Sequence, residues 1–243
     1  QWLRFHTQTA GVSLTAQQPD NNIVRTAVEA LAAVLAGTNS LHTNALDEVL
    51  ALPSAHAAQI ALRTQQVIAE ETGVLSVADP LGGSWYVEAL TDRIEADAER
   101  IFERIKDLGG DGTITSGLLR GIEDGWFITE IADSAFEYQV ALEKGDKRVV
   151  GVNTLTGDIG ENLEILRVSH EVELAQRELV ASRRAGRDQA AVDSAIARMV
   201  ADAEADRNTL PAMLDAVRAE ATMGEICNAF KPLWGEYREA ARF

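Results

Sequence analysis

At 243 residues the chain suits one large domain or two small ones, and an apolar content of 46% allows a packed core. A balance of 22 basic against 38 acidic residues leaves a net charge of −16, which excludes nucleic acid and anionic membrane as partners because like charges repel phosphates. It leaves room for a phosphate-bearing ligand in a local pocket. The single cysteine, Cys227, has no partner for an internal disulfide and fits a reducing cytoplasm; no apolar run reaches the roughly 18 residues that a membrane-spanning helix needs.

The stretch from Leu3 to Pro53 organises the rest. A β-prone polar run, Leu3–Thr9, ends at Ala10–Gly11, and a loop closed by Pro19–Asp20 follows. An Ala-rich helix over 22–35 is stopped by Gly37, and a second polar run covers Thr38–Asn44. Two strands joined by a crossover helix must lie parallel, and in parallel sheets the chemistry sits at the strands' C-terminal ends. Those ends carry His6, Gln8, Ser40, His42, Thr43 and Asn44. Ser54 then caps a helix reaching Thr72, ended by Gly73. Val74–Ala78 reads as a third strand, closed by the breaker-rich turn Asp79–Ser84. Trp85–Leu90 is open between strand and helix start. From Thr91 the spacing of Ile94, Ala98, Ile101, Ile105 and Leu108 predicts a helix, stopped by Gly109–Gly110.

Residues 1–110 thus show strand–helix three times, which predicts an α/β class and the C-terminal part of a (β/α)₈ barrel, with the remaining units preceding residue 1. The chain opens directly on a strand-like run without an apolar leader, which reads as the internal start of a fragment. Beyond 110, helices are expected over 113–121 and 127–144, a lone strand at Lys147–Asn153, a loop to Arg167, and helices over 169–185, 188–205, 210–221 and 223–236. The expected division is a partial barrel, 1–110, and a mainly helical extension, 111–243.

No glycine-rich dinucleotide fingerprint, P-loop, H-E-x-x-H or cysteine cluster occurs, so none of those sites is signalled. Cys227 reads as a small core residue on a helix, and His56 and His170 as solvated surface residues. The anomaly is two polar runs on strands that a packed barrel would fill with Val, Ile and Leu. Alternation puts His6, Gln8 and Ala10 on one face and Phe5, Thr7 and Thr9 on the other. Buried polar groups need partners, which an extended polar ligand along the axis would supply in number; the alternative is a side-chain network satisfied within the protein. His6 alone reads as either a satisfied core group or a ligand contact. Glu48 and Asp47 can each be a cap for the turn Leu46–Leu52.

Three runs, RFHTQTAGVSLT, GTNSLHTNALDEVLALP and VADPLGGSWYVE, resemble the adenosylcobalamin-dependent acyl-CoA mutases, the large subunits of methylmalonyl-CoA mutase and its isobutyryl-CoA-type relatives. VVGVN and the late MGEI run fit the same family. The resemblance implies a (β/α)₈ barrel with acyl-CoA threaded along an axis lined by small polar side chains and cobalamin capping the C-terminal end. It implies radical isomerisation of a short branched acyl-CoA, such as methylmalonyl-CoA to succinyl-CoA, by an oligomeric enzyme. By this resemblance His6 and Gln8 fall on an H-x-Q facing cofactor and substrate, Gly11 where the corrin nears the backbone, and Glu48 and Ala51 beside cobalamin, with Glu48 accepting from the adenosyl ribose. Asn39 and Ser40 fall on a Gln-Ser pair that binds acyl-CoA, Asn39 being one methylene short, and Arg4 falls on a family arginine at the substrate.

The family's thioester-contacting histidine and its acyl-selecting tyrosine and arginine would precede residue 1. Its D-x-H-x-x-G cobalamin motif is not in this sequence, so the resemblance implies a cobalamin-binding domain or small subunit elsewhere. A different barrel enzyme such as an aldolase, or a non-catalytic assembly subunit, stays open; an aldolase needs a Schiff-base lysine or metal ligands at strand ends, and residues 1–110 contain only one lysine, Lys106, on a helix.

Overall fold

The computed structural model describes residues 3–157 and 163–238. The middle of the expected loop before Arg167, at 158–162, and the chain ends lie outside these residues. Two compact units are formed, Gln1–Arg167 and Val168–Phe243. Residue 110 lies within the first of these units.

The first unit opens on β1 (His6–Gln8), passes a 3₁₀ turn at Gly11–Ser13, and continues through α1 (Asn21–Leu35) into β2 (Ser40–His42). β1 and β2 are parallel, with His6 opposite Ser40, Thr7 opposite Leu41 and Gln8 opposite His42. The crossover topology read from the sequence is therefore present. α2 (Ala55–Glu71) starts where the Ser54 hydroxyl accepts from Ala57 N–H. A small-residue core of Ala45, Leu46, Ala57 and Ala61, packed by Ile23, Ile60 and Leu163, holds this layer behind the strands.

Two local expectations are corrected and one open reading is resolved. Val74–Ala78 is not a strand: left-handed Gly73 leads into a 3₁₀ turn at Val74–Ser76, and no described strand pairs with it. β-propensity without a partner does not hold an extended chain. Trp85–Leu90 is helix, because Ser84 caps Val87 N–H and α3 runs Trp85–Gly109. Lys147–Asn153 is a turn with a single bridge, Val150 to Thr154. There Asn153 Oδ1 accepts from Val149 N–H, its Nδ2 donates to the Leu142 and Lys147 carbonyls, and Gly151 takes φ +84°. That local side-chain chemistry overrides the valines.

α3 packs on α4 (Ile114–Asp124) through two glycines, and α5 (Trp126–Lys144) follows. A β-carbon on Gly117 would collide with the Ile105 carbonyl. Gly117→Ala is therefore expected to cost about 3 kcal/mol, seen as a lowered melting temperature, since helix backbones in contact cannot yield as side chains do.

The second unit is α6 (His170–Gly186), α7 (Gln189–Glu204), α8 (Leu210–Arg218) and α9 (Met223–Trp234), around Met199, Ala212, Ala216 and Ile226. Cys227 is exposed on α9, not in this core, because the apolar stripe of α9 passes through Ile226 and Phe230. Glu225 closes a capping box with Thr222 and takes both arms of the Arg187 guanidinium, at 2.5 and 2.8 Å. The Arg187 side chain is only 3% exposed. That guanidinium first, and Thr222 N–H second, hold the Glu225 carboxyl far below the usual carboxylate range. A lowered folded-state value stabilises the fold fully above the ordinary carboxylate value of about 4.3, and this contribution is lost as pH falls below it. The gap in melting temperature between wild type and Glu225→Gln is thus expected to be widest near neutrality and to shrink steadily through acid pH.

Candidate functional site

The strand alternation sorts polar side chains by role. Thr9 and Thr43 are buried and Thr7 and Leu41 half-buried, on the side of the helices. That side is satisfied internally: Thr7 Oγ1 donates to Thr38 Oγ1 at 2.8 Å, Thr43 Oγ1 donates to the Ala61 carbonyl at 2.7 Å, and Gln65 Nε2 donates to Thr43 Oγ1 at 2.9 Å. The opposite face carries His6, Gln8, Ser40 and His42, all exposed. The two explanations left open by spacing therefore apply to different faces. The helix side is a protein network, and the open side presents donors and acceptors to whatever occupies it.

On the open face, His6 Nδ1 lies 2.7 Å from Ser40 Oγ, which pins the ring across the strand pair. Gln8 Nε2 donates to Asn44 Oδ1 at 3.3 Å, leaving the Gln8 oxygen available. The ladder extends past both ends of the strands: Thr9 N–H donates to the His42 carbonyl and Asn39 N–H to the Phe5 carbonyl, each at 3.1 Å. Asn39 also spends its side-chain oxygen on Phe5 N–H at 3.0 Å, so it serves the backbone first. Arg4 is exposed just before β1 and has no described bond into this cluster.

Beyond the strand tips, Gly11, Asn44 and Glu48 converge. A β-carbon on Gly11 would lie 3.2 Å from Asn44 Nδ2 and 3.4 Å from Glu48 Oε1. Asn44 is 2% exposed, its N–H donates to Thr9 Oγ1 at 2.9 Å, and its Nδ2 has no partner. An unpaired buried donor and an exposed carboxyl thus flank a bare glycine. A ribose hydroxyl, which both donates and accepts, suits that pair, so the residues fit the adenosyl group that the resemblance implies. Ala51 is half-buried in the same loop, its N–H donating to the Asp47 carbonyl at 3.0 Å.

The loop is held from behind by residues that periodicity assigns only to a helix. Asn22, fully buried, donates to the Leu46 and Thr15 carbonyls at 2.9 Å each and accepts from Thr15 N–H at 3.0 Å. Glu29 Oε2 accepts from Ala10 N–H at 2.7 Å and fixes the corner before Gly11. The available signal is a polar side chain breaking the apolar face of an Ala-rich helix.

Lys106 lies on α3, bonded to Glu103 at 2.7 Å, and that bond raises its pKa. A Schiff-base lysine needs the reverse, so the aldolase alternative loses its residue. Among the described residues no group of three or more metal-ligating side chains gathers, and no helix is long and apolar enough to cross a membrane.

Comparison with known proteins matches residues 1–236 to the family model described as methylmalonyl-CoA mutase. The chain is 43% identical to the 2-hydroxyisobutanoyl-CoA mutase large subunit of Aquincola tertiaricarbonis, over 99% of this chain and 42% of that protein. It is 40% identical to methylmalonyl-CoA mutase of Escherichia coli, over 97% of this chain and 32% of that protein. It is 39% identical to mitochondrial methylmalonyl-CoA mutase of Homo sapiens, over 97% and 31%. The chain spans less than half the length of these relatives. With the family model covering nearly the whole of it, the chain belongs to the methylmalonyl-CoA mutase family.

Proposed function

We propose that this chain is the C-terminal part of the barrel domain of an adenosylcobalamin-dependent acyl-CoA mutase, an isomerase acting on a short branched acyl-CoA. Residues 1–110 contribute the last units of a (β/α)₈ barrel and residues 111–243 a helical extension. The observation that carries this reading is the open polar face of β1 and β2 ending in the Gly11, Asn44 and Glu48 cluster.

Each side chain has a task that its surroundings support. Glu48 accepts from, and Asn44 donates to, the adenosyl ribose. Gly11 leaves the backbone bare where the corrin approaches, with Ala51 beside it. His6, pinned by Ser40, and Gln8, oriented by Asn44, line the space between cofactor and acyl group. Ser40 and Asn39 bind the acyl-CoA, Asn39 through its amide nitrogen or a bridging water because its oxygen is engaged. Arg4 extends the same contact. When bound, adenosylcobalamin supplies the radical chemistry of the rearrangement. These residues orient the reactants and keep water out. The cobalamin-binding partner is a separate domain or small subunit, the assembly is oligomeric, and the compartment is the cytoplasm.

The isolated 243-residue chain is expected to show no turnover of methylmalonyl- or isobutyryl-CoA with adenosylcobalamin. The full-length protein with its cobalamin-binding partner is expected to bind the cofactor and give an acyl-CoA-dependent radical signal by electron paramagnetic resonance. Absence of both binding and signal there would favour a docking subunit.

A further inference from the structure

We propose that Asp47 is the positioning residue for Glu48, an assignment that rests on the mutase reading for its functional consequence. The two neighbours point opposite ways. Glu48 is exposed beside Gly11, while Asp47 is 0% exposed. Asp47 Oδ2 accepts from Ser54 N–H at 2.9 Å, and Ser54 is the residue whose hydroxyl starts α2. Its backbone carbonyl accepts from both Leu50 N–H at 2.8 Å and Ala51 N–H at 3.0 Å. One residue therefore fastens both ends of the turn that presents Glu48 and Ala51, and it ties that turn to the first residue before a seventeen-residue helix.

The other carboxyl oxygen, Oδ1, is buried without a partner. A half-satisfied buried carboxyl is a poor choice for stability alone, since an apolar side chain of similar volume would avoid the desolvation cost. A group of this kind is explained by fixing one loop geometry, and the loop it fixes holds the carboxyl facing the adenosyl site. The opposite end of the loop is anchored by Asn22 on the Leu46 carbonyl and Thr9 on Asn44 N–H. Asp47 is thus the anchor on the α2 side.

The test uses the full-length protein with its cobalamin-binding partner. Asp47→Ala removes the carboxylate but keeps the backbone carbonyl, so it is expected to speed amide exchange at Ser54, whose N–H the carboxylate accepts, at least tenfold, while the buried amides of α1 keep their protection. It is expected to weaken adenosylcobalamin binding by about tenfold or more, the usual size of losing a supporting residue behind a ligand group. Asp47→Asn retains an oxygen for Ser54 N–H and is expected to restore most of both properties. In a Glu48→Ala background, Asp47→Ala is expected to have no further effect on cofactor affinity, because its influence passes through Glu48. An equal loss of affinity in both backgrounds, or unchanged exchange at Ser54, would overturn the assignment. If the wild-type protein binds no adenosylcobalamin, the mutase reading fails on its own, and the exchange measurement alone decides whether Asp47 clamps the loop.

Discussion

Gly11→Val in the full-length protein is expected to weaken adenosylcobalamin binding by about 100-fold, or about 2.7 kcal/mol, while leaving the melting temperature nearly unchanged. The separation of the two effects follows from where Gly11 sits. It is exposed, it opens a 3₁₀ turn, and its φ is not in the left-handed region, so the backbone there accepts a side chain without strain. The added group instead enters the space between Asn44 Nδ2 and Glu48 Oε1, where the first carbon alone would stand 3.2 and 3.4 Å from those atoms. Two further methyl groups reach outward from this exposed position into the space the adenosyl group needs, so the cost falls on the ligand. Gly11→Ala is expected to show the same effect at about tenfold, because Glu48 is exposed and gives way more easily than the buried Asn44. Cobalamin absorbance titrated against each variant reads the loss. Equal affinities for wild type and Gly11→Val would remove the glycine cluster from the cofactor site.

His6→Ala is expected to lower kcat about 100-fold with little change in KM, the effect of misplacing a group next to the reacting atoms. Ser40→Ala is expected to raise KM, because Ser40 binds acyl-CoA, and to lower kcat by a smaller factor, because it also releases the His6 ring held at 2.7 Å. In the double variant kcat is expected to match that of His6→Ala alone. The Ser40 contribution to kcat passes through the histidine, and groups acting in series do not add. Steady-state kinetics on the four proteins measure this. A double variant whose kcat losses multiply would make the His6–Ser40 contact incidental.

Much of the frame is legible in residue order, and the reasons are local. Gly37, Gly73, Gly110 and Gly145 stop helices in left-handed backbone or the turn just after, and Ser54 starts one, so these helix ends follow from neighbours in sequence, whereas the Ser84 cap, which starts α3 at Trp85 and so six residues before Thr91, is not legible in the apolar spacing. The parallel pairing follows from one helix lying between two polar runs. What sequence order misreads are the segments whose state depends on distant partners. Val74–Ser76 has strand composition but no strand among the described residues to pair with, and the valines of Lys147–Asn153 yield to one asparagine that bonds both ends of its own turn. Within the site, the strand-borne residues are visible because polar side chains are anomalous on such strands, while Gly11 and the role of Glu48 come only from the family resemblance. Asn22, Glu29 and the Asp47–Ser54 tie are not, since each bond joins residues 7 to 24 positions apart that no periodicity connects. The neighbouring acids Asp47 and Glu48 are equivalent as caps on paper, and burial separates them into a clamp and an exposed carboxyl.

The most direct measurement is a structure of the full-length protein bound to adenosylcobalamin and an acyl-CoA. The expected result has the His6, Gln8 and Ser40 face turned toward the thioester, with the Glu48 carboxyl and Asn44 amide on the adenosyl ribose. A ligand bound elsewhere, with that face covered by side chains from the rest of the protein, would contradict the account.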